Sequence, residues 1–273
     1  MPAWSIAQVA LQGTGHARAG VPCQDKTAFL VKNHVHVICL ADGAGSARLS
    51  HFGAEAVVNE MVRYVADNFD GLYTCDSEIR AGHIAETCRD ILAELSFNLS
   101  CEARDLSSTL LLVAVKRNRF VAVHIGDGVI GCYRRRSLEV LSAPANGEYV
   151  NQTWFTTSRD TNKAVRTYRG SSEDISGFIL MSDGAEAALY DGRRNKLASA
   201  CIGLLYHTVK FPKSIINGML EDSFRLSILP RTRDDCSIAL LARSRFKHFK
   251  DYKPYLRRLE KRKHRREKSD ASH

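Results

Sequence analysis

The chain has 273 residues, of which 44% are hydrophobic and 25% are charged, a composition typical of a globular protein rather than a disordered or fibrous one. It contains no run of 18 apolar residues, and residues 1–5 lack the basic start of a secretory signal, so we expect no membrane span and no leader. The formal net charge of +9 lies entirely in residues 243–273, where 13 Lys and Arg face 4 Asp and Glu, while the remainder holds 26 of each. The neutral remainder argues against a basic groove built into the fold.

Periodicity predicts the elements in chain order. Short apolar runs indicate strands, and apolar residues at helical spacing indicate two amphipathic helices. Short polar breaks between the next runs favour hairpins and therefore antiparallel pairing. The predicted elements up to residue 141 are strands at 4–10, 26–32 and 35–41, helices at about 50–68 and 77–99, and strands at 109–115, 120–125, 129–134 and 138–141.

Residues 143–176 are polar and have no clear period, and a loop of this length is usually functional or mobile. A strand at 178–182, helical patterns near 185–206 and 212–227, and a last strand at 237–242 follow. Together the elements predict an α+β fold in which two antiparallel sheets pack together with helices outside. We expect one domain over 1–242 and a partly disordered basic tail over 243–273.

Three of the predicted strands end on Asp-Gly, at Asp42, Asp127 and Asp183. Strands that end this way can bring three carboxylates together at one edge of a sheet. Like charges so close repel and raise one another's pKa unless a cation lies between them. The pattern therefore predicts a site for a hard metal ion.

The alternative interpretation is that Asp-Gly is simply a common turn dipeptide. Five occur in the chain, and Asp70-Gly71 and Asp191-Gly192 follow no apolar strand, so we interpret those two as ordinary turns. The eight cysteines include no Cys-x-x-Cys pair, which favours free thiols in a reducing cytoplasm over zinc sites or disulfides.

An ordered series of motifs runs from Gly13 to Ala242 and resembles the metal-dependent protein phosphatase family of type 2C. The resemblance is closest to a bacterial subgroup that begins with Gly-x-x-His and continues with Gly-x-Pro-Cys-Gln-Asp. The motifs are Gly13-Thr14-Gly15-His16, Gly20-Val21-Pro22-Cys23-Gln24-Asp25, Asp42-Gly43-Ala44-Gly45, Ser108-Thr109, Gly126-Asp127-Gly128, Ser182-Asp183-Gly184 and Thr232-Arg233-Asp234-Asp235-Cys236-Ser237.

The resemblance implies a β-sandwich flanked by helix pairs in four layers, α-β-β-α, and two Mn²⁺ or Mg²⁺ ions bridged by the attacking water. It implies that Asp42 bridges both ions, that the Gly43 carbonyl ligates one, and that Asp183 and Asp234 complete the shell of the first. Asp25 would hold waters of the second ion, and Asp127 matches the acidic residue of a third, weaker ion site. Asp235 stands where the family often has Asn and is interpreted as supporting the ligands.

The sequence departs from the family pattern at three positions. Ala44 replaces the His that serves many relatives as general acid, and Gly20 replaces the Arg that binds the substrate phosphate. Ala187 replaces an acidic residue of the third ion site. His16 and Arg18 are candidates for substrate binding, and His16 is also a candidate acid, although a structural turn histidine is an equal alternative.

The leading hypothesis is a phosphoserine and phosphothreonine protein phosphatase whose partners are phosphorylated proteins and a cognate kinase or its targets. The alternative is a pseudo-phosphatase that keeps the fold as a binding module without turnover. A third hypothesis assigns nucleic acid or an anionic surface to the basic tail, but most such runs are only solvated extensions.

Overall fold

The computed structural model describes residues 3–144, 154–158 and 164–243, and the basic tail after residue 243 lies outside them. Six helices and twelve strands occur in this part of the chain. They are β1 Trp4–Leu11, α1 Thr14–Ala19, β2 Lys26–Lys32, β3 Val35–Ala41, α2 Ser50–Thr74, α3 Ser77–Asn98, β4 Leu110–Lys116, β5 Arg119–Ile125, β6 Val129–Arg134, β7 Ser137–Ser142, β8 Arg166–Ser171, β9 Ile175–Met181, α4 Asp183–Leu189, β10 Tyr190–Asp191, β11 Lys196–Leu197, α5 Ala200–Lys210, α6 Lys213–Ser227 and β12 Cys236–Arg243.

Ten of the strands form two five-stranded antiparallel sheets. The first sheet has the order β1-β12-β9-β6-β7, and the second has the order β2-β3-β4-β5-β8. Short turns join the pairs β2–β3, β4–β5 and β6–β7. Helices α2 and α3 lie between β3 and β4 in sequence, and these two strands pair with Leu40 opposite Leu111. The remaining two strands, β10 and β11, form a small separate hairpin.

The sheets pack face to face, and each carries a helix pair on its outer face. Apolar residues of both sheets, among them Ile38, Leu111 and Phe178, are fully buried between them. Helices α2 and α3 cover the second sheet through a core that includes Met61 and Ile84. Helices α5 and α6 cover the first sheet through another core. Central strands are buried on both faces, which explains their continuous apolar runs. The predicted α+β sandwich with four layers is confirmed.

Several local predictions were wrong. The polar segment 143–176 contains β8 and the start of β9. The helical pattern over 185–206 is divided by the β10-β11 hairpin, which the sequence did not reveal. Asp70-Gly71 lies inside α2, which continues to Thr74 because its buried face extends through Phe69 and Leu72. Asp191-Gly192 does lie in a turn, that of the small hairpin.

The C-terminal boundary of the domain stays a prediction. β12 ends at Arg243, one residue beyond the predicted domain end, and its guanidinium is buried and bonded to the carbonyls of Ser172 and Arg117. Within the described ranges, no helix is both long and apolar enough to cross a membrane.

Candidate metal centre

The Asp42 loop is held by the start of β4. The chain leaves β3 at Ala41, and Gly43 forms an isolated bridge with Ser108. The Asp42 N–H donates to Thr109 Oγ1 at 2.9 Å, while the Thr109 N–H donates to the Asp42 carbonyl at 2.8 Å. These bonds satisfy the backbone where the strand ends and fix the position of the Asp42 carboxylate.

The Asp127 turn packs against the same threonine. Gly126 follows β5 with φ +111°, a conformation that side chains rarely adopt. A Cβ at this position would lie 2.5 Å from Thr109 Cγ2, so the site also requires the absence of a side chain. Thr109 therefore contacts both acidic loops of the second sheet, Asp42 through its hydroxyl and Gly126-Asp127 through its methyl group.

Asp183 and Asp25 are joined through Ser182. Asp183 begins α4 directly after β9, and the Ser182 hydroxyl donates to Asp25 Oδ2 at 2.7 Å. Asp25 is 1% exposed, and its other oxygen, Oδ1, is buried without a hydrogen-bond partner. A buried carboxylate oxygen without a donor is costly, which marks this position as one that a cation can complete.

The carboxylates come from both sheets. Asp42 and Asp127 follow strands of the second sheet, whereas Asp183 follows β9 of the first and Asp234 precedes β12. The prediction of one shared sheet edge was therefore wrong, because packing of the two sheets, rather than pairing within one, brings these residues to the same end of the sandwich.

The carboxylates at this end of the sandwich raise one another's pKa values. Burial raises the pKa of Asp25 to about 7, with a further increase from Asp235. Burial and the neighbouring charges of Asp25, Asp183 and Asp234 raise the pKa of Asp42 well above its ordinary value. The pKa of Asp183 rises to about 6 through burial, Asp234 and Asp127. Repulsion of this kind is relieved when a cation binds between the groups.

Glu186 is a further acid at this end that sequence reasoning missed. It lies three residues after Asp183 on α4, and burial, Asp183 and Asp127 raise its pKa to about 7. The family pattern points to the fourth residue after Asp183, which is Ala187 and is exposed. A spacing of three also places two side chains on one face of a helix, and that rule could have found Glu186.

The donor set fits a hard divalent cation. The carboxylates of this site and the Gly43 carbonyl are oxygen donors, which Mg²⁺ and Mn²⁺ prefer. Within the described residues, no three His, Cys, Asp or Glu side chains already stand at the spacing of a formed metal shell. The fit therefore rests on the chemistry of the donors, on their mutual repulsion and on the unpartnered Asp25 Oδ1.

The two proposed substrate residues lie on α1, a six-residue helix. His16 Nδ1 lies 2.9 Å from Asp235 Oδ2. Arg18 is exposed, and no ion pair to it is found among the described residues. Asp234 is also exposed, and its Oδ1 accepts the Asp235 N–H at 2.9 Å. The structure thus brings His16 to the segment that carries Asp234, whereas it places Arg18 in no ion pair with the described residues.

A short described part of the long polar loop lies beside the Asp42 loop. The Thr156 N–H donates to the Ser108 carbonyl at 2.9 Å, and the hydroxyls of Ser107 and Thr157 lie 2.6 Å apart. The Ser107 carbonyl in turn accepts the Ala44 N–H at 2.9 Å. Residues 154–158 are therefore fixed to the same strand start that holds Asp42.

Comparison with known proteins gives consistent results. Residues 12–209 match the sequence profile of the family described as Protein phosphatase 2C. The curated protein "Serine/threonine-protein phosphatase 3" of Escherichia coli (strain K12) is 26% identical over 182 residues, which cover 64% of this chain and 72% of the relative. A solved bacterial serine phosphatase has a TM-score of 0.60 at 14% identity, covering 89% of this chain and 99% of its own. The serine/threonine phosphatase of S. agalactiae has a TM-score of 0.59 at 18% identity, covering 88% and 99%. At these identities, the solved structures establish a shared fold.

Proposed function

The chain belongs to the protein phosphatase 2C family, and we propose that it hydrolyses phosphoserine and phosphothreonine in proteins with two divalent ions, Mn²⁺ or Mg²⁺. The observation that carries this proposal is the meeting of Asp25, Asp42 and Asp183 from both sheets, with the pKa of each raised. A fold without catalytic function has no physical need to bury carboxylates against each other, so the pseudo-phosphatase is not favoured.

The proposed ligands are those that the family resemblance implies. Asp42, Asp183, Asp234 and the Gly43 carbonyl would hold the ions, and Asp25 would support waters bound to them. Asp127, now joined by Glu186, would contribute to a third and weaker ion. When bound, ions of this kind supply an activated water and neutralise charge on the phosphoryl group.

Two further roles, protonation of the leaving group and attraction of the phosphate, would be filled by side chains of the protein. Ala44 cannot give a proton to the departing serine oxygen, and a serine alkoxide leaves poorly without one. We assign that role to His16, which would donate to the leaving oxygen as the bond to phosphorus breaks. Proton donation of this kind is typically worth about 10²–10⁴ in rate. Arg18, exposed on the same helix, would attract the phosphate.

The proposed substrates are phosphorylated proteins, with a cognate kinase or its targets as partners. We place the protein in a reducing cytoplasm, an assignment supported by eight cysteines that are all free thiols. The basic tail after residue 243 is assigned no partner, because a solvated extension explains its composition.

The proposal is tested by removing metal from the protein with EDTA and assaying a phosphothreonine peptide and p-nitrophenyl phosphate, with and without added Mn²⁺. We expect turnover of both substrates to disappear on metal removal and to return with Mn²⁺. Full turnover without metal would contradict the metal-dependent chemistry. Saturable peptide binding without turnover under any metal condition would establish the pseudo-phosphatase instead.

A further inference from the structure

The Asp235 carboxylate is a buried acceptor at the base of α1. It is 1% exposed, and its Oδ1 accepts the Gly13 N–H at 2.6 Å. Its Oδ2 accepts the Gln24 N–H at 2.6 Å and also lies 2.9 Å from His16 Nδ1. One side chain therefore holds the segment before α1, the residue before Asp25 and the imidazole of His16.

The backbone of α1 is docked on the same segment. The Gly15 N–H donates to the Arg233 carbonyl at 2.8 Å, and a Cβ on Gly15 would lie 2.8 Å from that oxygen. A Cβ on Gly13 would overlap the backbone of Asp234. Both glycines are needed for this close approach, so the position of His16 relative to Asp234 is fixed by packing as well as by Asp235.

The imidazole is buried on the Asp235 side. Nδ1 is buried, and its 2.9 Å contact with Oδ2 is short but does not have the geometry of an aligned hydrogen bond. Rotation about the last side-chain torsion of histidine is soft and can align the two groups. The side chain is 23% exposed, and with Nδ1 buried this exposure falls on the ring edge that includes Nε2.

An aspartate suits these donors better than the asparagine that often stands at this position in the family that the sequence resembles. Both oxygens of Asp235 face N–H groups, Gly13 on one side and Gln24 with His16 on the other. An asparagine would place its own NH₂ against one of these donors. Because a carboxylate only accepts hydrogen bonds, it favours the form of His16 that carries a hydrogen on Nδ1.

We propose that Asp235 is a positioning residue that receives the Nδ1–H of His16 and thereby presents Nε2 to the phosphorylated substrate. The second half of this inference rests on the proposed phosphatase function, whereas the first half does not. In turnover, protonated Nε2 gives its proton to the serine oxygen as the bond from that oxygen to phosphorus breaks and water forms the new bond to phosphorus. Nδ1 keeps its proton toward Asp235 throughout. The proton that the water releases restores Nε2.

The first experiment is independent of activity. Protein labelled with ¹⁵N in its histidine rings is examined by NMR at a pH where His16 is neutral, with the His16 signals assigned by their loss in His16→Asn. We expect Nδ1 to carry the proton and Nε2 to be unprotonated in the unsubstituted protein. A neutral His16 that carries its proton on Nε2 would overturn the proposal, whether or not the protein is a phosphatase.

The second experiment compares kcat on a phosphoserine peptide and on p-nitrophenyl phosphate. His16→Asn keeps a donor at the Nδ1 position but has nothing at Nε2, so we expect peptide kcat to fall by about 10² or more and aryl kcat by less than about tenfold. His83→Asn, an exposed histidine on α3, is the matched control and should change neither. If His16→Asn lowers kcat equally on the peptide and on p-nitrophenyl phosphate, or lowers neither, His16 does not donate a proton to the substrate.

Asp235→Asn completes the comparison, provided that its Mn²⁺ requirement matches that of the unsubstituted protein. We expect the same selective loss of peptide turnover, with no further loss in the double variant with His16→Asn, because residues that act as a unit are not additive. Additive losses would overturn the coupling. If Asp235→Asn does not fold, the NMR assignment of the His16 tautomer still tests the positioning by Asp235, and the kinetics of His16→Asn still test proton donation to the substrate. If the unsubstituted protein is inactive but its neutral His16 is protonated on Nδ1, the proposed phosphatase function is refuted. The presentation of Nε2 to a substrate then falls with it, while the positioning of His16 by Asp235 stands.

Discussion

Thr109 holds Asp42 from two directions, since its N–H donates to the Asp42 carbonyl at 2.8 Å and its Oγ1 accepts the Asp42 N–H at 2.9 Å. Its methyl group lies where a side chain on Gly126 would otherwise be, beside Asp127. One buried threonine therefore sets the separation of two acidic loops.

The hydroxyl and methyl of Thr109 can be tested separately. Thr109→Val removes the acceptor and leaves the Asp42 N–H without a partner, which costs about 1–3 kcal/mol in unfolding free energy. We also expect about 10–100-fold weaker Mn²⁺ activation, because Asp42 loses its support. Thr109→Ser keeps the hydroxyl and should retain the Mn²⁺ requirement. Urea unfolding and Mn²⁺-dependent turnover measure the two effects, and equal behaviour of Val and Ser would contradict this role.

Gly184 allows α4 to approach β12. A Cβ on Gly184 would overlap the Asp235 carbonyl oxygen, so Gly184→Ala forces the two segments apart. We expect a loss of about 1–3 kcal/mol in unfolding free energy, together with weaker Mn²⁺ activation because Asp183 moves. Gly218→Ala is the matched control, since no heavy atom lies near its added Cβ inside α6. Removing that helical glycine should stabilise the protein by about 0.5–1 kcal/mol. Loss of stability in both variants would show that the clash is not the cause.

The pKa of Asp25 predicts how stability depends on pH in the absence of metal. Its pKa rises from an ordinary 3.8 to about 7 in the folded protein. Between these values the folded state keeps a proton that the unfolded chain has lost, so this group makes the free energy of unfolding fall as pH rises. Asp25→Asn cannot ionise and should weaken that fall between about pH 4 and about pH 7. Urea unfolding of EDTA-treated protein across this range measures it, and identical slopes would refute the assignment.

We predict that Glu186 supplies the acidic side chain of the third ion site, a role that Ala187 cannot fill. Glu186→Gln removes one of three neighbouring charges, so we expect the Mn²⁺ concentration needed for full activity to rise while the tightest metal binding is retained. Glu94→Gln, an exposed acid on α3, is the control and should have no effect. An Mn²⁺ titration of turnover makes the comparison. An unchanged titration in Glu186→Gln would exclude this residue from the third ion site.

Much of the fold follows from the sequence because its central strands are buried on both faces. The runs that lead to Asp42 and Asp183 are mostly apolar, and each is followed by the turn dipeptide Asp-Gly. β8 gave no such signal, since an edge strand pairs on one side and tolerates polar residues such as Arg166 and Arg169. Helix α1 was missed because it has six residues and none of them is buried.

The site was partly predictable for the same reason. Strand ends identified Asp42, Asp127 and Asp183, but nothing local indicates that Ser182 bonds to Asp25 or that Asp235 reaches Gly13 across 222 residues of sequence. Such contacts depend on how the two sheets pack. Glu186 needed only the helical spacing rule, applied at three residues as well as four.

The proposed chemistry requires that these carboxylates bind divalent ions. The most direct measurement is calorimetric titration of EDTA-treated protein with MnCl₂ at about pH 7.5, in buffers of different ionisation enthalpy so that proton release is counted. We expect saturable binding of at least two ions, with release of the protons that Asp25, Asp42 and Glu186 retain because their pKa values are raised. In Asp42→Asn, at least the tight binding should be lost. Absence of saturable binding, or equal binding by Asp42→Asn, would show that these carboxylates do not form a metal site.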